Sequence, residues 1–267
     1  MSKTRGGMTQ VAMTAAHALS VANDQKRIIG NGRDLECLMS VSKVRIRDRV
    51  AGPNPNSWGA RRRQQRFRWL TDTFPDLADM SVIDLGGRLA TWTRAPVQPK
   101  RVHIVNLAAP PVDLPEWAEF DRADACALPA HIASQRYDLV FSNSVIEHVG
   151  GHERRERFAE SVHLLADAHW VQTPYRYFPV EPHWLAPGMQ FLPVAARTQL
   201  ARHWPLGFRQ DKTRQQALDR VLSIELIDRT QMRYYFPDSM LRMEMIFGIP
   251  KSLIVYRTGL TTATVRP

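Results

Sequence analysis

From Met80 onward, short apolar runs rich in β-branched residues alternate with stretches of helical periodicity, and this alternation constrains the chain more than any other feature. Runs of that kind are buried on both faces, so they belong to a largely parallel sheet with helices packed on either side. The strands expected are Ser81–Leu85, Arg101–Asn106, Tyr137–Ser142 and Trp170–Gln172. A last pair, about Leu241–Ile246 and Leu253–Tyr256, is broken by Gly248-Ile249-Pro250-Lys251. So short a connection makes that pair an antiparallel hairpin at the sheet edge. The fold class expected is therefore α/β, a doubly wound, mostly parallel sheet ending in an antiparallel hairpin.

Ahead of the sheet, Asn56 or Ser57 can cap a helix running to about Phe74, with Phe67, Leu70 and Phe74 on one face and Pro75 as its stop. Further upstream the pattern is poor. Gly6-Gly7, Gly30-Asn31-Gly32 and Gly52-Pro53-Asn54-Pro55-Asn56 punctuate scattered apolar residues, and only Met13 to Ala22 reads as a short helix. Residues 1–55 are expected to form a basic, partly disordered or loosely docked extension, and residues 56–267 the folded domain.

The net charge of +10 sits entirely in the first 70 residues, where fourteen lysines and arginines face four acids. A uniformly basic protein would point to nucleic acid throughout; here only one segment does. The run Arg61-Arg62-Arg63-x-x-Arg66-x-Arg68 is a candidate phosphate-binding face, although no RNA-binding module signature accompanies it. No apolar run reaches the roughly 18 residues of a spanning helix, and the start lacks a secretory apolar stretch. Cys37 and Cys126 make neither a disulfide framework nor a CxxC thiolate site. The compartment expected is the cytoplasm.

Four segments carry chemistry. In Val82-Ile83-Asp84-Leu85-Gly86-Gly87-Arg88 a buried strand ends in an acid, and glycines let the backbone turn tightly against a ligand. About twenty residues later, Val102-His103-Ile104-Val105-Asn106-Leu107 ends a second strand on an amide able to accept and donate toward a ribose. Asp124-Ala125-Cys126 offers a loop carboxylate beside a small residue, suited to an adenine amine. The segment from Tyr137 to Val149, YDLVFSNSVIEHV, runs from a strand into Ser142-Asn143-Ser144 and then into a helix expected to start with Glu147 and His148. Singly, each of these also reads as an ordinary turn or loop.

In order, spacing and chemistry the four together resemble the class I S-adenosylmethionine-dependent methyltransferases, of the broad type 11/12 kind, over about residues 56–257. The loop from Gln172 to His183 and the ending from Phe236 to Ile254 resemble a bacterial subgroup of them. The resemblance implies a seven-stranded, Rossmann-like sheet and S-adenosyl-L-methionine as cofactor. By it, Asp84, Gly86 and Gly87 line the methionine and ribose part; Asn106 meets the ribose hydroxyls, with Leu107 against the adenine. Asp124 and Ala125 hold the adenine edge, and Ser142 and Asn143 lie near the sulfonium. The chain departs from the DxGxGxG pattern at Arg88 and Ala90, so Arg88 has to turn its side chain outward to leave the site open.

Methyl transfer to an oxygen needs alignment and removal of a proton, for which His148 is the first candidate base and His183, beside Glu181, the second. The aromatic loop after the fifth strand, part of an insertion over about residues 173–215, is expected to form the acceptor pocket. Tyr175, Arg176, Tyr177 and Glu181 are its candidate acceptor-binding residues. Ser144-x-x-Glu147-His148 resembles the ExxEH magnesium site of some methyltransferases, but a serine stands in place of the first acid, so no metal is expected. The function expected is O-methylation of a small-molecule, glycan or lipid-linked acceptor. The alternatives are an RNA methyltransferase anchored by residues 1–70, or a non-catalytic protein that keeps the fold.

Overall fold

A computed structural model describes residues 57–207 and 211–259. The helix expected over Met13 to Ala22, Cys37 and most of the basic extension lie outside the described residues. The chain divides into two compact units, Met1–Arg61 and Arg62–Pro267. Of the first unit, residues 57–61 are described. The Ser57 hydroxyl accepts from the Ala60 amide at 3.1 Å, capping the start of helix α1 (Trp58–Thr73) as its sequence predicts.

The second unit continues through β1 (Ser81–Leu85), α2 (Leu89–Trp92), β2 (Arg101–Asn106), β3 (Ala118–Arg122), α3 (Ala130–Ala133), β4 (Leu139–Asn143), α4 (His152–Leu165) and β5 (His169–Pro174). A short hairpin, β6 (Val180–Glu181) and β7 (Ala186–Pro187), follows, then α5 (Val194–His203), α6 (Arg214–Leu222) and α7 (Arg229–Tyr235). Strands β8 (Met240–Ile246) and β9 (Ile249–Arg257) close the chain's sheet. The order is β3-β2-β1-β4-β5-β9-β8, parallel from β3 to β5, with β9 antiparallel to both of its neighbours. This is the doubly wound, Rossmann-like sheet that the resemblance implies. The order reverses between β1 and β4, and in such sheets ligands bind beyond the carboxyl ends of the strands at that point.

Strand alternation divides the core into two faces. Ile83, Leu85, Val105 and Val140 pack with Phe158, Val162 and Leu165 of α4 on one side. Val82, Val102, Ile104 and Leu139 pack with Leu70, Phe74 and Trp92 on the other. Between β5 and β8, Trp184, Ala186, Met189, Ala201, Ala217 and Val221 form a smaller core of their own.

The structure departs from the sequence reading in four places. Strand β3 is absent from it because Glu119, Asp121 and Arg122 disguise an edge strand whose side chains are only partly covered. Helix α4 starts at His152, not at Glu147; residues 144–151 form turns that hold Glu147 and His148 at the strand edge. The hairpin turn lies at Phe247-Gly248, both with positive φ, so Ile249, Pro250 and Lys251 belong to β9. Finally, two of the five arginines of the run are used inside the fold, while Arg61, Arg63 and Arg68 are exposed. Arg66 pairs with the buried Glu244 at 3.1 Å, and Arg62 donates to the Met245 carbonyl at 3.2 Å, fastening α1 to β8.

Candidate functional site

A cavity of about 400 Å³ opens at the switch point, within the roughly 300–1,000 Å³ usual for small-molecule sites. Asp84, Gly86, Gly87 and Asn106 line it from the ends of β1 and β2; Phe141, Asn143, Ser144, Val145 and His148 line it from β4 and the turns beyond. Arg88 and Thr91 complete the wall. Arg88 is exposed, with its backbone extended at the start of α2.

The turn after β1 is built with no room to spare. Gly86 has φ +80°, and a Cβ there would meet Val145 Cγ2 at 2.4 Å; a Cβ on Gly87 would fall 1.8 Å from Asp84 Oδ2. Two glycines are therefore needed to bring the backbone round the carboxyl group. Asp84 is 1 % exposed; its Oδ2 accepts from Trp92 Nε1 at 2.8 Å, while Oδ1 is buried without a partner. Burial pushes this carboxyl up to about 7, against which the Trp92 hydrogen bond works only in part. Asp84 also lines the cavity, and its unpaired Oδ1 is an acceptor with no donor beside it.

Asn106 lines the cavity but is held differently from the sequence expectation. Its Nδ2 donates to the carbonyls of Gly86 at 3.0 Å and Gly87 at 2.7 Å, and its Oδ1 accepts from the Ala108 amide at 2.9 Å. The amide thus braces the glycine turn, which a carboxylate cannot do.

Four expected cofactor residues lie outside the cavity lining. Leu107 is 66 % exposed. Ser142 is fully buried and donates to the Leu85 carbonyl at 2.9 Å, tying β4 to β1. Asp124 accepts from the Cys126 amide at 2.9 Å and from Arg154 Nη2 at 2.7 Å, next to the buried Ala125. Burial pushes the Asp124 carboxyl up, but the Arg154 and Cys126 hydrogen bonds outweigh it and hold the group low. Thr91, Phe141 and Val145 line the cavity without having been candidates, and Ser144, read from the sequence only as part of the polar strand edge and the metal-like motif, lines it as well. Ser144 has φ 59°, uncommon for a residue with a side chain, and its amide and hydroxyl both reach Gln172, at 2.8 and 3.1 Å.

At the cavity wall His148 meets His183, Nε2 to Nε2 at 3.1 Å, with their rings edge to face. His148 Nδ1 lies 3.3 Å from the Ser223 carbonyl, and His183 Nδ1 lies 2.7 Å from Glu181 Oε1. Glu181 is 1 % exposed and also accepts from the amides of His183 and Trp184 at 2.8 and 2.9 Å. Its role is thus to anchor His183, not to face the cavity. Burial lowers the His148 imidazole below its usual value, and His183 beside it adds to the effect. The remaining loop candidates also lie outside the cavity lining: Tyr177 stacks on Phe191 and meets Tyr175 edge to face, and the Arg176 carbonyl accepts from Gln190.

No protein-family model and no curated protein matches the chain. Solved structures do resemble it. Magnesium protoporphyrin IX methyltransferase from Synechocystis PCC 6803, with bound SAH, is 14 % identical, covering 73 % of this chain and 80 % of that one at a TM-score of 0.45. The DhpI–SAH complex is 13 % identical over 83 % and 98 % at 0.45. The N-methyltransferase NodS from Bradyrhizobium japonicum WM9 is 9 % identical over 72 % and 93 % at 0.40. The functional case rests on this chain's own residues.

Proposed function

We propose that the chain binds S-adenosyl-L-methionine in the switch-point cavity and transfers its methyl group to an oxygen of a small-molecule, glycan or lipid-linked acceptor. One observation carries the reading: the turn Asp84 to Gly87, braced by Asn106, lines a ligand-sized cavity that His148 also lines, with His183 3.1 Å from His148.

The cofactor would supply an electrophilic methyl on a positively charged sulfur. Asp84, Gly86 and Gly87 would hold its amino-acid and ribose part. Asn106 keeps one lone pair of Oδ1 for a ribose hydroxyl while fixing the turn. Asn143 lines the cavity nearer the histidines along the chain and would lie toward the sulfur. Leu107, Asp124 and Ala125 would border the adenine at the rim. Methyl transfer is an in-line displacement: the carbon–sulfur bond breaks with its electrons left on sulfur as the oxygen–carbon bond forms. The acceptor's proton has to leave, and the His148–His183 pair is the place at the cavity wall where the acceptor oxygen would be activated. The segment between β5 and β8, with its separate core, would close over the acceptor.

The test is calorimetric titration of the full chain with S-adenosylhomocysteine. Binding at one site, lost in Asp84→Ala with the fold retained by circular dichroism, supports the reading. A folded wild-type protein that takes up no S-adenosylhomocysteine overturns it. The basic residues 1–70 make an RNA acceptor the competing outcome, to be recognised by salt-dependent RNA binding that disappears when that segment is deleted.

A further inference from the structure

The arrangement of hydrogen atoms around His148 and His183 leads past an imidazole base. A carbonyl and a carboxylate can only accept, so each imidazole commits its Nδ1–H: His148 to the Ser223 carbonyl, His183 to Glu181. In the neutral rings both Nε2 atoms are then bare lone pairs, yet they face one another at 3.1 Å. Two acceptors at hydrogen-bond distance repel unless a cation lies between them.

A third donor is present. Glu147 is 1 % exposed; its Oε2 accepts from Thr173 Oγ1 at 2.9 Å, and its Oε1 is buried with no partner. One ligand atom each from Glu147, His148 and His183 lies within 4.8 Å of the others. A proton shared between the two nitrogens would leave Glu147 Oε1 unsatisfied. A metal ion between the two nitrogens would draw on all three residues once the Glu147 carboxylate closes in, because ligands about 2.1 Å from one ion stand no more than about 4.2 Å apart and the three atoms span up to 4.8 Å.

We propose that Glu147, His148 and His183 bind a divalent transition-metal ion, of the zinc, manganese, iron(II) or cobalt class, at the wall of the cavity. Two imidazole nitrogens about 2.1 Å from one ion stand about 3.0–3.4 Å apart at coordination angles between square and tetrahedral, which brackets the observed separation. Two nitrogens and one carboxylate suit a borderline ion better than magnesium or calcium, which take oxygen. Glu181 is the positioning residue: it accepts the hydrogen on the ring nitrogen opposite the metal-facing one and fixes the orientation of His183. Three protein donors leave coordination positions open, and His148 lines the cavity, so the ion would stand beside it.

This deepens the proposed function, on which it partly rests, by naming the acceptor class: a hydroxylated molecule whose oxygen can coordinate the ion. The ion would make that hydroxyl more acidic, so that its proton passes to water before the oxygen takes the methyl group.

The full chain, stripped with a chelator, is titrated with cobalt(II) and, separately, zinc(II). The expected result is one ion per chain and a visible cobalt spectrum with nitrogen and oxygen ligation. His183→Ala, at a half-buried position, should weaken binding at least 100-fold, and Glu181→Gln about 10- to 100-fold. S-adenosylhomocysteine binding should survive in both variants, which separates this claim from the cofactor reading. Glu147→Gln serves as a second ligand variant, with circular dichroism reporting its fold. No stoichiometric ion in the wild-type protein overturns the proposal. So does an ion whose affinity and spectrum are unchanged in His183→Ala.

Discussion

Asn106 donates through Nδ2 to the carbonyl oxygen of Gly87 at 2.7 Å, across 19 residues of chain, so the end of β2 holds the turn that follows β1. The same nitrogen reaches Gly86 at 3.0 Å, and both hydrogens of the amide are therefore spoken for.

Replacing Asn106 by Asp removes two donors and sets a carboxylate against two carbonyl oxygens. At about 1 kcal/mol per hydrogen bond, Asn106→Asp should cost about 2 kcal/mol or more in urea unfolding and at least 10-fold in S-adenosylhomocysteine affinity. An unchanged affinity would show that the turn keeps its shape without the brace.

Gly87→Ala tests how tightly that turn approaches Asp84. A methyl group there would lie 1.8 Å from Asp84 Oδ2, so the carboxyl group or the turn has to move. We expect a loss of about 1–3 kcal/mol and no measurable cofactor binding. Gly151→Ala, where an added Cβ meets nothing within 4 Å, is the control: it should leave cofactor binding unaltered and cost no more than about 1 kcal/mol, the scale of an alanine at the N-cap of α4.

The Asp84 carboxyl predicts a pH dependence of stability. In the folded chain it keeps its proton up to about 7, whereas an unfolded chain releases it near 3.8. Its stabilising contribution is therefore complete below about 3.8 and is lost as the pH rises through 7, by on the order of 4 kcal/mol. Asp84→Asn cannot titrate. The stability of wild type relative to this variant should fall between pH 4 and pH 7 in denaturant titrations, and a flat difference would contradict the assignment.

His169 works in the opposite direction. It is fully buried, with Nε2 at 2.7 Å from Ser239 Oγ and Nδ1 unpartnered. Burial, then the neighbouring His163 and Arg257, push it down to about 3. An unfolded chain takes the proton near 6.5, so this contribution is present above 6.5 and is lost as the pH falls toward 3. His169→Asn should flatten the acid side of the stability profile between pH 6 and pH 4. Single variants are needed because the Asp84 and His169 slopes overlap.

Much of the fold is written locally. Continuous apolar runs buried on both faces placed β1 and β2 at their observed limits, and Ser57 followed by an amphipathic stretch ending at Pro75 placed α1. β3 escaped because an edge strand with Glu119, Asp121 and Arg122 has a polar surface to present. At the site, the Asp84-Leu85-Gly86-Gly87 turn was legible because a glycine pair after an apolar run ends a strand, and its place among four such segments, not the pair alone, pointed to a ligand. The contribution of Ser144 was not, since its φ of 59° depends on the two hydrogen bonds it makes to Gln172, 28 residues away.

The sequence by itself determined the alternation of elements, the chemistry at the strand ends and the candidacy of His148, because periodicity, turn formation and side-chain type act within a few residues. Only tertiary structure decided what those side chains touch. It turned Asn106 inward to brace a turn, enclosed Ser142 between strands, and used Arg62 and Arg66 to dock a helix. It also brought His183 across 35 residues to face His148, with Glu181 buried behind it. Donor and acceptor pairing is settled by the few ångströms between groups from distant parts of the chain, and no local pattern encodes that distance.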